Sequence, residues 1–152
     1  MLIGVISDTH GLLRPEALAA LAGVDHILHA GDVGNPAILD SLRDIAPLTA
    51  IRGNIDTFGE CARLPATEAI ELSGLLFYLV HSIHDLDINP KTAGIAIVIS
   101  GHSHQPEIET RNGVIYLNPG SAGPRRFQLP VTLALVTFTD SEVIPRLVQL
   151  LP

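Results

Sequence analysis

Seven side chains able to ligate a metal stand in five short motifs: Asp8-x-His10, Gly31-Asp32, Gly53-Asn54, His81 and Gly101-His102-x-His104. Imidazole, carboxylate and one amide oxygen, without thiolate, suit manganese first, with iron, zinc or nickel as alternatives, and argue against calcium or an iron–sulfur cluster. Seven ligands exceed one tetrahedral zinc site. They fit two divalent ions of higher coordination that share a carboxylate and a water. Asp8 and His10 are two residues apart, as are His102 and His104. In extended backbone such pairs point to one side, so each pair is expected to face one ion or two neighbouring ions. The same seven residues are the candidate catalytic residues, since metal-assisted hydrolysis needs no Ser or Cys nucleophile.

The elements that must position these groups are apolar runs that end abruptly at each motif. Leu2–Ile6, His26–Ala30, Leu48–Arg52, Leu75–Val80 and Ile95–Ser100 read as strands. Each delivers Asp, His or Asn just past its carboxyl end, where α/β sheets open a ligand crevice. Arg14–Ala22 reads as a helix with Pro15 in its first turn, and Asn35 caps a second helix beginning at Pro36. Ile38, Leu39, Leu42 and Ile45 form the apolar face of that second helix. Ser73-Gly74 predicts a hairpin between Thr67–Leu72 and Leu75–Val80. A loop or short helix around Asn89–Gly94 follows, and Val114–Leu117, Val131–Phe138 and Val143–Leu150 complete about nine strands. Pro145 marks the last as an edge strand. The sum is an α/β chain with two packed sheets and helices outside, a single domain over residues 1–152.

Composition narrows the partners. Hydrophobic residues make up 47% of the chain and charged residues 16%, with mean hydropathy +0.37. That richness predicts strands buried on both faces, or a homodimer or homotetramer interface. The net charge is −7 and Lys91 is the single lysine, so no stable nucleic-acid complex is expected. A single cysteine, Cys61, permits no internal disulfide and has no matched role. No run approaches the ~20 apolar residues of a membrane span. The first residues lack a basic leader, so no signal peptide and no membrane association are expected, and the cytoplasm is the expected location.

The ordered set Asp8-x-His10, Gly31-Asp32, Gly53-Asn54, His81, Gly101-His102-x-His104 resembles the calcineurin-like metallophosphoesterase superfamily. Within it, the chain is similar to the small single-domain bacterial and archaeal phosphodiesterases, from Ile3 to the Asn118-Pro119-Gly120-Ser121 turn and beyond. The resemblance implies a four-layer α/β/β/α sandwich of two mixed sheets flanked by helices. It implies that Asp8, His10 and His104 hold one ion, that Asn54, His81 and His102 hold a second, and that Asp32 bridges them. The activity implied is hydrolysis of small phosphodiesters by a metal-bridging hydroxide. Two positions depart from relatives. Ile55 stands where many larger relatives carry the His that assists the leaving group, and Ser82 stands where many small relatives carry Gly.

Other residues bear on the site less directly. His29 is a candidate to orient a ligand, and His84 to face the substrate, while a core or surface role is the competing reading for both, as for His26. Arg14, Arg125 and Arg126 are candidates to grip phosphate through their forked donors. The 118–121 turn is expected to join the strand ends at the site, and the loops Phe58–Leu64 and Ile83–Gly94 to set specificity. Competing functions are a phosphomonoesterase, a nuclease, and a non-catalytic interaction scaffold on the same fold, as the retromer scaffold subunit is. Completeness of the seven ligands favours an enzyme, and the missing basic groove argues against a nuclease.

Overall fold

The structure, a computed structural model, describes residues 1–140 and 142–152. Two five-stranded mixed sheets pack face to face. In the first, β1 (Leu2–Ile6), β2 (His26–His29) and β3 (Leu48–Ala50) run parallel. The strands β9 (Thr132–Phe138) and β10 (Val143–Gln149) add on antiparallel beyond β1. In the second, β5 (Leu75–Val80), β6 (Ile95–Ile99) and β8 (Val114–Asn118) are parallel. The antiparallel strands β4 (Thr67–Leu72) and β7 (Glu107–Arg111) close its two edges.

Between the sheets, Ile3, Val5, Leu28 and Val136 meet Phe77, Leu79, Ile97 and Ile99. Alternate residues of β1, β2 and β9 face the other way, so these strands are apolar on both faces, which accounts for the hydrophobic composition. There Ile27, Leu133 and Leu135 pack on α1 (Pro15–Ala20), α2 (Pro36–Arg43) and α3 (Gly59–Ala62), through Ala17, Leu39, Leu42 and Cys61. The Asn35 side chain accepts from the Ala37 N–H and caps α2. Over the second sheet the outer layer is thinner: a 3-10 turn at Ile83–Asp85 and the chain after it, with Ile83, Leu86 and Ile88 seated on Val80, Val98 and Val114.

Among the described residues ten strands form rather than nine, because Glu107–Arg111 pairs with β8. All five of its residues are exposed, so no apolar alternation marks it in the sequence. Pro145 lies on β10, at the edge of the first sheet, where its missing N–H costs no ladder bond. Several elements are a residue or two shorter than their apolar runs. Ala30, Arg52 and Ser100 belong to the loops past the strands, because the chain there turns to carry the polar motifs.

Candidate metal centre

Parallel strands place their carboxyl ends on one side, and in both sheets that side is the same. The Gly101 N–H donates to the His81 carbonyl at 2.9 Å, and the His102 N–H reaches across the sheets to Asp8 Oδ2 at 3.0 Å. Loops from β1, β2, β3, β5 and β6 therefore meet in one place.

Two groups of side chains there could each hold a metal ion: Asp8, His10 and His104, and Asp32, His81 and His102. Within each group the ligand atoms lie within 4.8 Å of one another. Asn54 stands beside the second group, its Oδ1 3.1 Å from His102 Nδ1. All seven sequence candidates are thus brought together. Asp8, Asp32, His81 and His104 are buried, His10 is half-buried, and Asn54 and His102 are exposed at the mouth.

Each carboxylate uses one oxygen for the fold and turns the other inward. Asp8 Oδ2 accepts from the Ser7 hydroxyl at 2.8 Å and from the His102 N–H, while Oδ1 lies 3.5 Å from His104 Nε2 and 3.7 Å from His10 Nε2. Asp32 Oδ1 accepts from the Ile55 N–H at 3.0 Å. Its Oδ2 lies 3.3 Å from His10 Nε2 and 3.2 Å from His81 Nε2, between the two groups. These approaches are close but not aligned as hydrogen bonds. Asp8 Oδ1, His10 Nε2, His81 Nε2 and His104 Nδ1 are buried with no hydrogen-bond partner. An orphaned buried polar atom costs about 1–3 kcal/mol. Four in one cluster of imidazole nitrogens and carboxylate oxygen fit the donor set of a divalent cation, so the residues present suit the metal that the motifs imply.

The charges respond to one another. Burial by itself would raise the Asp32 pKa, but the His81 contact, the Ile55 N–H and the nearby His10 outweigh it and hold the carboxyl below its ordinary range. Burial pulls His81 down, yet Asp32 and the Ala30 carbonyl overcome it and the ring is shifted up. His104 is shifted down, by burial first and by the charges of Arg126 and His10, against the pull of Asp8.

Backbone geometry aims the ligands. Asp8, His10, Asp32, His102 and His104 all sit at positive φ, between 45° and 70°. The left-handed region costs an L residue roughly 1–2 kcal/mol, and such strain gathers at functional sites. The Asp8/His10 and His102/His104 pairs are therefore not on extended backbone, as their spacing suggested. Asp8 and His10 reach the same group, whereas His102 and His104 diverge to different ones. Close packing matters as much as φ. A Cβ on Gly53 would meet the Asp32 carboxylate, and one on Gly101 would meet the Ser7 hydroxyl and the Asp8 carboxylate.

Residues outside the seven hold the loops. His29 is fully buried: its Nδ1 accepts from the Gly31 N–H and its Nε2 meets the Thr9 hydroxyl at 3.1 Å, which in turn donates to the Val33 carbonyl. Desolvation, against the pull of Asp8 and Asp56, pushes its pKa to about 4, so the ring is neutral. It orients the backbone flanking Asp8 and Asp32 and touches neither. Asp56, which none of the five motifs includes, accepts from three backbone N–H groups, those of Val33, Gly34 and Gly53. It ties the Asp32 loop to the Asn54 loop. Its signal was an Asx residue two places past the Asn54 turn, a position suited to local backbone bonding.

The 118–121 turn joins the site as expected. Asn118 Nδ2 donates to the Gly101 carbonyl and the Ser103 hydroxyl, and the Ser121 hydroxyl donates to the Asp8 carbonyl. Arg14 is committed to the Gly123 carbonyl at 3.1 Å and Arg125 to the Pro152 carbonyl. Of the three arginines, Arg126 is the one whose charge reaches a ligand, His104. His26 pairs with the Thr49 hydroxyl between β2 and β3, away from the cluster. Cys61 is a buried core thiol of α3, its pKa raised by burial and by Asp56 and Glu60.

Comparison with known proteins gives these features a family. The model of the calcineurin-like phosphoesterase superfamily domain matches residues 1–141. A probable metallophosphoesterase of Methanocaldococcus jannaschii is 38% identical over 95% of this chain and 81% of its own length. A phosphodiesterase of the same organism is 28% identical over 79% of this chain and 83% of its own length. Among solved structures, a novel archaeal phosphodiesterase superposes with TM-score 0.79 at 23% identity, covering 97% of this chain and 100% of that one. Vps29 of Entamoeba histolytica, in complex with zinc, superposes with TM-score 0.76 at 22% identity, covering 99% of each chain.

Proposed function

The chain belongs to the calcineurin-like phosphoesterase superfamily, and on that premise we propose that it is a phosphodiesterase that hydrolyses small phosphodiesters with two divalent ions. One observation carries the two-ion reading. Asp32 Oδ2 lies between the two ligand groups, 3.3 Å from His10 and 3.2 Å from His81, with unpartnered imidazole nitrogens on both sides. Asp8, His10 and His104 would hold the first ion, Asn54, His81 and His102 the second, and Asp32 would bridge. Manganese is the first expectation for the metal, with iron, zinc or nickel as alternatives.

Bound divalent ions supply Lewis acidity, which lowers the pKa of water towards ~7 and offsets charge on a phosphoryl group. The chain's own part is to fix the ligands before substrate arrives. Ser7 and the His102 N–H lock Asp8, the Ile55 N–H locks Asp32, and the Ala30 carbonyl holds His81 Nδ1, so that Nε2 faces inward. Ile55 offers no proton to a leaving group. Activated aryl esters are therefore the better substrates.

The diester preference is supported by the phosphodiesterase relative. A small substrate, rather than nucleic acid, follows from the net charge of −7 and the single Lys91. No helix among the described residues is long and apolar enough to cross a membrane, and the proposed location is the cytoplasm. A homodimer or homotetramer is part of the proposal, and it would cover apolar side chains such as Phe58 and Phe127, exposed by 82% and 87%; a monomer in sedimentation at high concentration would remove that assignment.

The test is hydrolysis of bis(p-nitrophenyl) phosphate and p-nitrophenyl phosphate by metal-stripped protein, with manganese added and then chelated. Manganese-dependent turnover of the diester above the monoester is the expected result. Faster monoester turnover would make the chain a phosphomonoesterase. Protein that binds no ions would favour an interaction scaffold on this fold.

A further inference from the structure

The outer face of the second sheet is only partly covered. The helices α1, α2 and α3 contribute to the core on the first sheet, and the segment after β5 covers Val80, Val98 and Val114. Over β7 and β8 the sheet is left open, and a cleft of about 320 Å³ lies there. Its lining includes His102 and Ser103 from the candidate metal centre, so the cleft opens directly off the site.

Register arranges the rest of the lining. Glu107, Glu109 and Arg111 alternate along β7 and so share one face. They stand opposite Asn118, Tyr116 and Val114 of β8. Glu107 is thus at the end nearest the metal centre, and Arg111 is at the far end, roughly 13 Å away at the strand rise of ~3.3 Å per residue. Arg111 is already engaged: its Nε is 3.4 Å from Glu109 Oε1, and its guanidinium lies 4.2 Å over the Tyr116 ring. Glu109 and Arg111 offset each other. Glu107 has no ion-pair partner among the described residues.

Resting on the phosphodiesterase reading, we infer that this cleft receives one alcohol arm of the diester and selects arms bearing an ammonium or hydroxyl donor within reach of Glu107. An arm with a second phosphate meets the Glu107 charge, and a purely apolar arm desolvates it without return. A donor on the arm satisfies the carboxylate instead. Two of the cleft's other polar groups, Gln105 and His84, can accept or donate and so tolerate such an arm.

The experiment compares two p-nitrophenyl diesters that differ only in the second arm, ethanolamine against ethyl, with manganese-loaded protein. The expected result is a kcat/KM for the ethanolamine ester about tenfold above that of the ethyl ester, the scale of one charge-assisted hydrogen bond. In Glu107→Gln the ratio should fall to near one. A wild-type ratio of one overturns the inference, and so does a preference that survives in Glu107→Gln. Should neither ester be hydrolysed, the phosphodiesterase reading fails and calorimetric binding decides the cleft on its own. Tighter binding of the ethanolamine ester by wild type than by Glu107→Gln upholds the cleft, and equal binding overturns it.

Discussion

His81 Nε2 faces Asp32 Oδ2 at 3.2 Å while the opposite ring nitrogen, Nδ1, donates to the Ala30 carbonyl at 2.7 Å. A carbonyl can only accept, so the neutral ring carries its proton on Nδ1 and turns a lone pair towards the carboxylate. Two acceptors at that distance call for a cation between them, a proton or a metal. The relationship frames what removal of a neighbouring carboxylate should do.

Asp8→Ala removes the one carboxylate oxygen that faces both His10 and His104. Manganese-dependent diester hydrolysis should be lost, and calorimetry should show weakened or absent binding of one ion. Full activity in this variant would falsify the ligand assignment.

Asp56 is expected to matter without touching a metal. Asp56→Ala strips the acceptor from three backbone N–H groups. The loss should be about 3 kcal/mol of stability or more, given about 1–3 kcal/mol per orphaned donor. Metal affinity should drop roughly 10–100-fold, the usual effect of losing a group that orients ligands. Asp56→Asn, which keeps one accepting oxygen, should recover part of both. Chemical denaturation and metal titration read the two effects separately, and an unchanged metal affinity would confine Asp56 to the fold.

His29 gives a pH signature. Its folded pKa is lowered, mainly by burial, to about 4 from the ordinary 6.5. Between those values the unfolded chain binds the proton and the folded chain does not, so stability is present in full above pH 6.5 and is lost as pH falls towards 4. The span corresponds to on the order of 3 kcal/mol. His29→Gln should be less stable at pH 8 but should flatten this part of the profile, measured as unfolding free energy against pH in metal-free protein. A wild-type profile with no slope between pH 6.5 and 4 would contradict a buried neutral ring.

Gly53→Ala tests close approach. The added Cβ would meet the Asp32 carboxylate and the Asp32 backbone. The fold should survive with a lowered Tm, and metal binding should weaken at least about tenfold as Asp32 is displaced. Retained affinity would mean that the Asp32 loop moves as a unit.

Ile55 predicts leaving-group dependence. Its side chain is 38% exposed beside Asn54, and it has no proton to give. Rates should fall steeply from p-nitrophenyl to alkyl esters. Ile55→His should speed alkyl esters by about 10²-fold, the low end of general acid catalysis. Equal rates for aryl and alkyl esters in the wild type would show that another group donates the proton.

Much of this protein was legible in the sequence because its logic is local. Apolar runs such as Leu2–Ile6 and Ile95–Ile99 announce strands, and the polar residue after each marks a strand end. Seven chemically competent ligands in one order are readable without any coordinates. Strand β7 was not readable, because an edge strand exposed on both faces carries no alternation to detect. The direction of the ligands was not readable either. Spacing suggested a pleat, whereas positive φ at Asp8, His10, Asp32, His102 and His104 turns them by backbone strain that only the surrounding packing can hold. Likewise nothing local tells that Asp56 and His29 serve loops carried on other strands, or that the committed arginines are Arg14 and Arg125. The sequence by itself determined which groups are present and at which strand ends. The tertiary structure decided which of them face one another, because close approach between two sheets depends on contacts more than twenty residues apart, and no local pattern encodes those.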